Sequence, residues 1–248
     1  MQDVCIFRRI EKKYLITEAQ SRALLERIGP DLKADAHGES TVCSLYLDTP
    51  DWLLIRNSME ARTYKEKLRL RSYGTPGPDS RVFLELKKKY RGVVYKRRVA
   101  LTERQAEAYL RSGIKPFDSQ IFRELDYAMA FYRNPRPAVA LCYERRAYTV
   151  PTVPDLRLTF DTHVRYRTEE LTLSAGTAGR EILPADAVIL EIKTDGAMPL
   201  WLSRALDECL IRPASFSKYG TAYRDLCRRG SGENEIKTEN QKEGKRYA

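Results

Sequence analysis

The chain has 248 residues, 42% apolar and 10% aromatic, which suffices for a sizeable core and excludes a disordered chain. Its 44 Lys and Arg exceed its 34 Asp and Glu, giving a net charge of +10 that points to polyanionic partners. Five widely spaced cysteines without a C-x-x-C and only two histidines, His37 and His163, argue against a zinc site, a disulfide framework or a histidine-based triad. No stretch reaches the ~18 consecutive apolar residues of a membrane span, and the N-terminus has no signal-peptide pattern. A reduced, cytoplasmic setting is the expectation.

Strand patterns dominate. Alternating or β-branched runs occupy Arg8–Ile16, Thr41–Thr49, Tyr64–Tyr73, Ser80–Tyr90 and Gly92–Leu101, with a Gly/Pro-rich turn at Gly74–Ser80. Four more follow at Ala138–Val150, Leu156–Thr168, Leu171–Ala175 and Ala187–Thr194. Helices stand between them. Thr17–Gly29 and Thr102–Gly113 each open with a Thr-x-x-Gln capping box and end on glycine. Asp118–Arg133 carries an Asp cap, Pro199–Ile211 begins on a first-turn proline, and Ser217–Arg229 forms a shorter last helix. One domain over 1–229 is expected, followed by a polar tail over 230–248.

The strands share a charge pattern. In KEKLRLR, Lys65, Lys67, Arg69 and Arg71 fall on one face of a strand, with Leu68 and Leu70 on the other. Arg9, Glu11 and Lys13 share a face in the first strand, as do Glu85, Lys87 and Lys89, Lys96 and Arg98, Arg157 and Asp161, and Glu191 and Lys193. Taken singly, each is an ordinary solvated face of an antiparallel sheet. Taken together they are too cationic for that, and five helices need an apolar surface to cover. The fold expected is α+β, a closed antiparallel barrel of about eight strands with helices packed outside and a basic tunnel within. Dry burial of so many cations costs several kcal/mol each, so the tunnel must hold water and an anion. A chain of phosphates suits it.

These segments, in this order, resemble a known family. FRRIEKKYLI, SLYLDT, KLRLRSYG, LELKKK followed by YKRRVAL, YERRAY, LRLTFDT, VILEIKT and FSKYGTAY are together similar to the VTC (vacuolar transporter chaperone) domain, the polyphosphate polymerase branch of the triphosphate tunnel metalloenzymes. The resemblance covers about Phe7 to Leu226. It implies that Lys13, Arg69, Arg71, Lys87, Lys96, Arg157 and Lys218 line the tunnel. Of these, Arg69, Arg71, Lys87 and Lys218 would hold the nucleotide triphosphate, and Glu191 would hold Mn²⁺ or Mg²⁺. Related tunnel phosphatases carry Glu-x-Glu-x-Lys on the first strand, where this chain has Arg9-x-Glu11-x-Lys13. The missing acid favours the polymerase branch.

The expected activity is therefore transfer of the γ-phosphate of ATP to a growing polyphosphate chain. No G-x-x-x-x-G-K-[ST] is present, so side chains rather than a glycine loop must cradle the phosphates. A triphosphatase using Glu11 and Glu85, or a binding module for polyphosphate or an inositol phosphate, are the alternatives. Nucleic acid is disfavoured, because Glu and Leu rather than aromatic rings interleave the cations of KEKLRLR. The basic mouth also suits association with a membrane partner. Tyr14, Tyr73 and Tyr219 adjoin the motifs as candidate contacts to a nucleotide base.

Overall fold

The structure, a computed structural model, describes residues 6–7, 10–61, 63–91 and 93–230. Arg9 and residues 231–248, nearly all of the predicted tail, lie outside these. The strands are β1 (Ile6–Phe7), β2 (Ile10–Thr17), β3 (Lys33–Asp48), β4 (Tyr64–Tyr73), β5 (Arg81–Tyr90), β6 (Val93–Thr102), β7 (Arg136–Val150), β8 (Val153–Arg167), β9 (Arg180–Glu181) and β10 (Ala187–Thr194). The helices are α1 (Glu18–Ile28), α2 (Leu53–Glu60), α3 (Glu103–Ser112), α4 (Gln120–Phe131), α5 (Leu200–Glu208) and α6 (218–230). No helix among the described residues is long and apolar enough to cross a membrane.

All strands join one antiparallel sheet in the order β1-β6-β5-β4-β3-β7-β8-β10-β2, with β9 on β8. This path is open, so the closed barrel expected from the sequence gives way to a large antiparallel sheet: among the described residues, no ladder of hydrogen bonds joins its ends. The sheet nevertheless curls. Lys87 on β5 reaches Glu11 on β2 at 3.0 Å, although five strands separate β5 from β2 along the path. The two end strands, β1 and β2, are two residues apart in the chain.

The alternation of β4 shows why the charges face inward. Leu68 and Leu70 are buried with Leu84, Leu86, Val99 and Leu101 of β5 and β6 against Tyr109 of α3 and Phe122, Leu125 and Met129 of α4. A second cluster packs α1 and α5 over Tyr14, Leu158, Phe160, Leu190 and Ile192. Full burial of each such side chain contributes roughly 1.5–3 kcal/mol. With helices on the apolar side, the opposite face of each strand turns into the curl.

Both capping boxes form, at Thr17/Gln20 and Thr102/Gln105. Gly113 adopts the left-handed conformation (φ 68°) that ends α3, whereas Gly29 stays right-handed and leads into a single 3₁₀ turn. Three expectations change. The cap of α4 is Ser119, whose hydroxyl accepts from the Phe122 amide, while Asp118 pairs with Arg123. Leu171–Ala175 is a loop rather than a strand: Arg167 donates to the carbonyls of Glu170, Thr172, Gly176 and Ala178, gathering backbone groups a ladder would have used. Pro199 caps α5 instead of entering its first turn. Helix α2 has no counterpart in the sequence reading.

Candidate phosphate-binding lumen

The inward face has two halves. In one, Val42 and Tyr46 of β3, Val139, Leu141 and Tyr143 of β7, Val164 and Tyr166 of β8 and Ile189 of β10 pack around Tyr219 and Ala222 of α6. The rings of Tyr46 and Tyr219 stack at 4.3 Å. The Tyr219 hydroxyl donates to Asp48, a buried carboxylate that also accepts from the amides of Thr49, Leu54 and Ile55 and so starts α2. Helix α6 thus fills this half, and its first residue, Lys218, stands at the edge of the other.

The second half is ionic. Among its residues are the cations Lys13, Lys67, Arg69, Arg71, Lys87, Lys96, Arg98, Arg145, Lys193 and Lys218. Four carboxylates answer them: Glu11, Glu85, Asp161 and Glu191. Glu85 is nearly inaccessible. It pairs with Arg69 at 2.7 Å, Lys96 at 2.7 Å and Arg98 at 2.5 Å, and the cations hold its carboxyl far below the usual range despite burial. Asp161, also fully buried, takes a bidentate pair from Arg145 at 2.6 and 2.7 Å and the Lys218 ammonium at 2.5 Å. Burial favours a neutral Lys218, but Asp161 outweighs it and raises the pKa.

Across the seam, β2 and β10 set Lys13 opposite Glu191 and Glu11 opposite Lys193. Burial works against the Glu191 carboxylate, yet Lys193, Lys13, Lys218 and Lys87 hold its pKa well below normal. Among the described residues, several cations have no carboxylate bonded to them. The Lys13 ammonium donates to the Phe216 carbonyl, Lys67 donates to the Ser217 hydroxyl, and Arg71 donates to the hydroxyls of Ser44 and Tyr143. Burial lowers Lys67 to about 8 and Lys96 to about 7, in each case reinforced by neighbouring cations. Tyr46 is buried, yet Arg69, Lys67 and Arg71 bring it down to about 8. A site that strains its own lysines toward neutrality and depresses a phenol carries an uncompensated positive potential.

The structure therefore brings Lys13, Arg69, Arg71, Lys87, Lys96, Lys218 and Glu191 onto one inward face. Arg157 shares the parity but lies at the rim, 41% exposed and paired with Asp35. Lys67, Arg145, Lys193 and Asp161 also belong to this half. Their signal was the same alternation, which carries Lys67 beside Arg69 and Lys193 beside Glu191. Of the tyrosines, Tyr14 packs in the outer core and Tyr219 in the dry half, so neither faces the ionic half. Tyr73 is partly exposed, and its hydroxyl accepts from Arg98.

Among the described residues, no group of three or more His, Cys, Asp or Glu is placed to hold a metal. Glu191 and Glu11, diagonal neighbours on β10 and β2, supply two hard oxygen donors. That donor set fits a divalent cation carried in by a triphosphate, since Mg²⁺ sites commonly use one or two carboxylates plus substrate oxygens.

Solved structures share the fold, two of them as follows. A candidate adenylate cyclase from Bacillus halodurans superposes with a TM-score of 0.55 at 14% identity, covering 85% of this chain and 94% of that one. A candidate adenylyl cyclase from Hippeastrum, described as having a dominant triphosphatase activity, gives 0.51 at 16% identity, covering 85% and 93%. No curated protein matches the chain. Residues 8–227 match the family model of the VTC domain, a span that includes all the motifs that build the lumen. The chain belongs to the VTC domain family.

Proposed function

We propose that the protein is a metal-dependent polyphosphate polymerase that moves the γ-phosphoryl group of ATP onto a phosphate or polyphosphate end. The carrying observation is the ionic half-lumen, with ten cations against four carboxylates among the described residues, in a chain of this family. Phosphoryl transfer asks little covalent help from a protein. It needs in-line alignment and neutralisation of charge on the phosphoryl oxygens. The bond from the γ-phosphorus to the β,γ-bridging oxygen breaks, a bond to the terminal oxygen of the acceptor forms, and ADP leaves.

Arg69 and Arg71 are held by Glu85 and by hydroxyls with donors left over, which suits two-point grips on phosphate oxygens. Lys13, Lys67, Lys87, Lys96 and Lys218 act as point charges along the chain, and Arg157 receives it at the rim. Mn²⁺ or Mg²⁺ on Glu191 and Glu11 would neutralise charge on the bound triphosphate. A basic rim also suits a partner that takes the product, at a membrane or elsewhere in the cytoplasm.

A triphosphatase is the second reading, favoured by the inward carboxylates Glu11 and Glu191 and by the activity described for the Hippeastrum protein. Incubation with ATP, Mn²⁺ and a short polyphosphate primer, resolved on a gel that separates phosphate chains, divides the two. A ladder that lengthens with time and is absent for Lys87→Ala is the expected result. Free phosphate without a ladder would establish the hydrolase instead.

A further inference from the structure

The inward face is backed by an outer face, and on that face β3 and β7 carry two cysteines. Cys43 and Cys142 are direct cross-strand partners in the ladder, 99 positions apart in the chain. Their sulfurs lie 3.1 Å apart, and both side chains are buried as free thiols. The other described cysteines, Cys209 and Cys227, stand on α5's end and on α6. We propose that Cys43 and Cys142 are a redox-active dithiol that closes to a cross-strand disulfide when the folded protein meets a hydroperoxide.

Three observations carry this. The register holds the two Cβ atoms on the same side of neighbouring strands, the geometry a cross-strand bond needs. The cover over the pair is a loop: the Gly176 carbonyl sits 3.8 Å from the Cys142 sulfur, and that loop is held to the sheet by hydrogen bonds from Arg167 and by Leu171 and Leu173, which pack on the core. The two thiols are also inequivalent. The hydrogen bond shared with Cys43 lowers the Cys142 pKa against the effect of burial, with Arg167 and Arg165 assisting, while Cys43 is raised. Cys142 also lies directly across the β7–β8 ladder from Arg165, a cation beside which a thiolate is favoured, so it serves as the attacking thiolate and Cys43 as the resolving thiol.

The chemistry balances with a hydroperoxide as oxidant. The Cys142 thiolate attacks one peroxide oxygen, the O–O bond breaks, and water or an alcohol leaves, giving a sulfenic acid at Cys142. The Cys43 sulfur then attacks the Cys142 sulfur, the S–O bond breaks and a second water leaves. The two thiols lose two protons and two electrons, and the peroxide is reduced by two electrons. The bond would fasten β3 to β7 behind Ser44 and Tyr143, the residues next in each strand, whose hydroxyls hold Arg71.

The experiment treats the native full chain with hydrogen peroxide in non-denaturing buffer, blocks remaining thiols and maps the peptides. The expected outcome is a Cys43–Cys142 linked peptide, a loss of two hydrogens in intact mass and reversal by dithiothreitol. A rise in melting temperature of roughly 5–10 °C should accompany it, because the cross-link closes a long loop in the unfolded chain. Cys142→Ser should abolish the link and the rise, and Cys227→Ser should keep both. Peroxide-treated native protein with both cysteines still reduced, or a link found only in denaturant, would overturn the proposal. The wild-type peptide map decides even where a variant folds poorly, and it is independent of whether the lumen polymerises phosphate.

Discussion

The two halves of the inward face are built on the same strands and differ in what covers them. Where α6 lies inside the curl, inward positions are Val, Leu, Ile and Tyr, and a buried carboxylate, Asp48, is saturated by a hydroxyl and three amides. Where α6 is absent, the inward positions become Lys, Arg, Glu and Asp. The dry half is self-sufficient. The ionic half is not, since among the described residues Lys13, Lys67 and Arg71 donate to neutral oxygens and to no carboxylate. Groups arranged this way raise the free energy of the empty protein and lower it again when a polyanion arrives. Two aromatic rings mark the border: Arg69 lies over Tyr46 at 5.8 Å, while Arg145 and Lys218 lie over Tyr143 at 5.1 and 4.4 Å.

Variants on either side of that border should separate stability from turnover. Tyr219→Ala, in the dry half, removes the stack on Tyr46 and leaves Asp48 without its hydroxyl donor, so it should cost about 4 kcal/mol in a denaturant titration. Lys87→Ala and Arg69→Ala should cut turnover by about 10²–10³-fold, with melting temperature little changed in Lys87→Ala and lowered in Arg69→Ala, which takes a partner from the buried Glu85, a pattern checked by steady-state assay beside calorimetry. Both side chains face the ionic half, and wild-type turnover in either variant would remove it from the site.

At the border itself, Asp161→Asn should show both effects. It keeps the shape but strips the charge that Arg145 and Lys218 share, leaving two buried cations uncompensated. A stability loss of about 3 kcal/mol is expected from chemical denaturation. The smallest effect concerns pH. In the free protein Lys96 and Lys67 lose their protons near 7 and 8. A polyanion favours the protonated forms, so binding takes up protons, and affinity should fall as pH rises from 7 to 9. The loss should be up to about tenfold larger in the wild type than in Lys67→Met, a comparison that cancels the ligand's own titration.

Much of this arrangement was legible in the strand parity. The alternation in KEKLRLR placed Leu68 and Leu70 under helices and Arg69 and Arg71 inside, and the same parity located Lys13, Lys87, Lys96 and Glu191. What parity cannot express is depth along a strand. Arg157 and Asp161 sit on one face of β8, yet one ends at the rim and the other at the sealed centre. Nor does local pattern tell which helix lies inside: α6 has an apolar side like the others, and only the curl of the sheet selects it as the filling. Helix α2 escaped because it is short and its start depends on Asp48, which reads in sequence as the end of a strand. Leu171–Ala175 looked like a strand because Leu171 and Leu173 alternate. They are loop residues packed on the core while Arg167 gathers the backbone carbonyls.

The most direct test of the central claim is a calorimetric titration with tripolyphosphate at several salt concentrations, for the wild type and for Arg69→Ala and Lys87→Ala. One saturable site, weakened steeply by salt and by each substitution, is predicted. Undetectable binding in the wild type, or affinity unchanged in both variants, would contradict the assignment of the ionic half as a phosphate site.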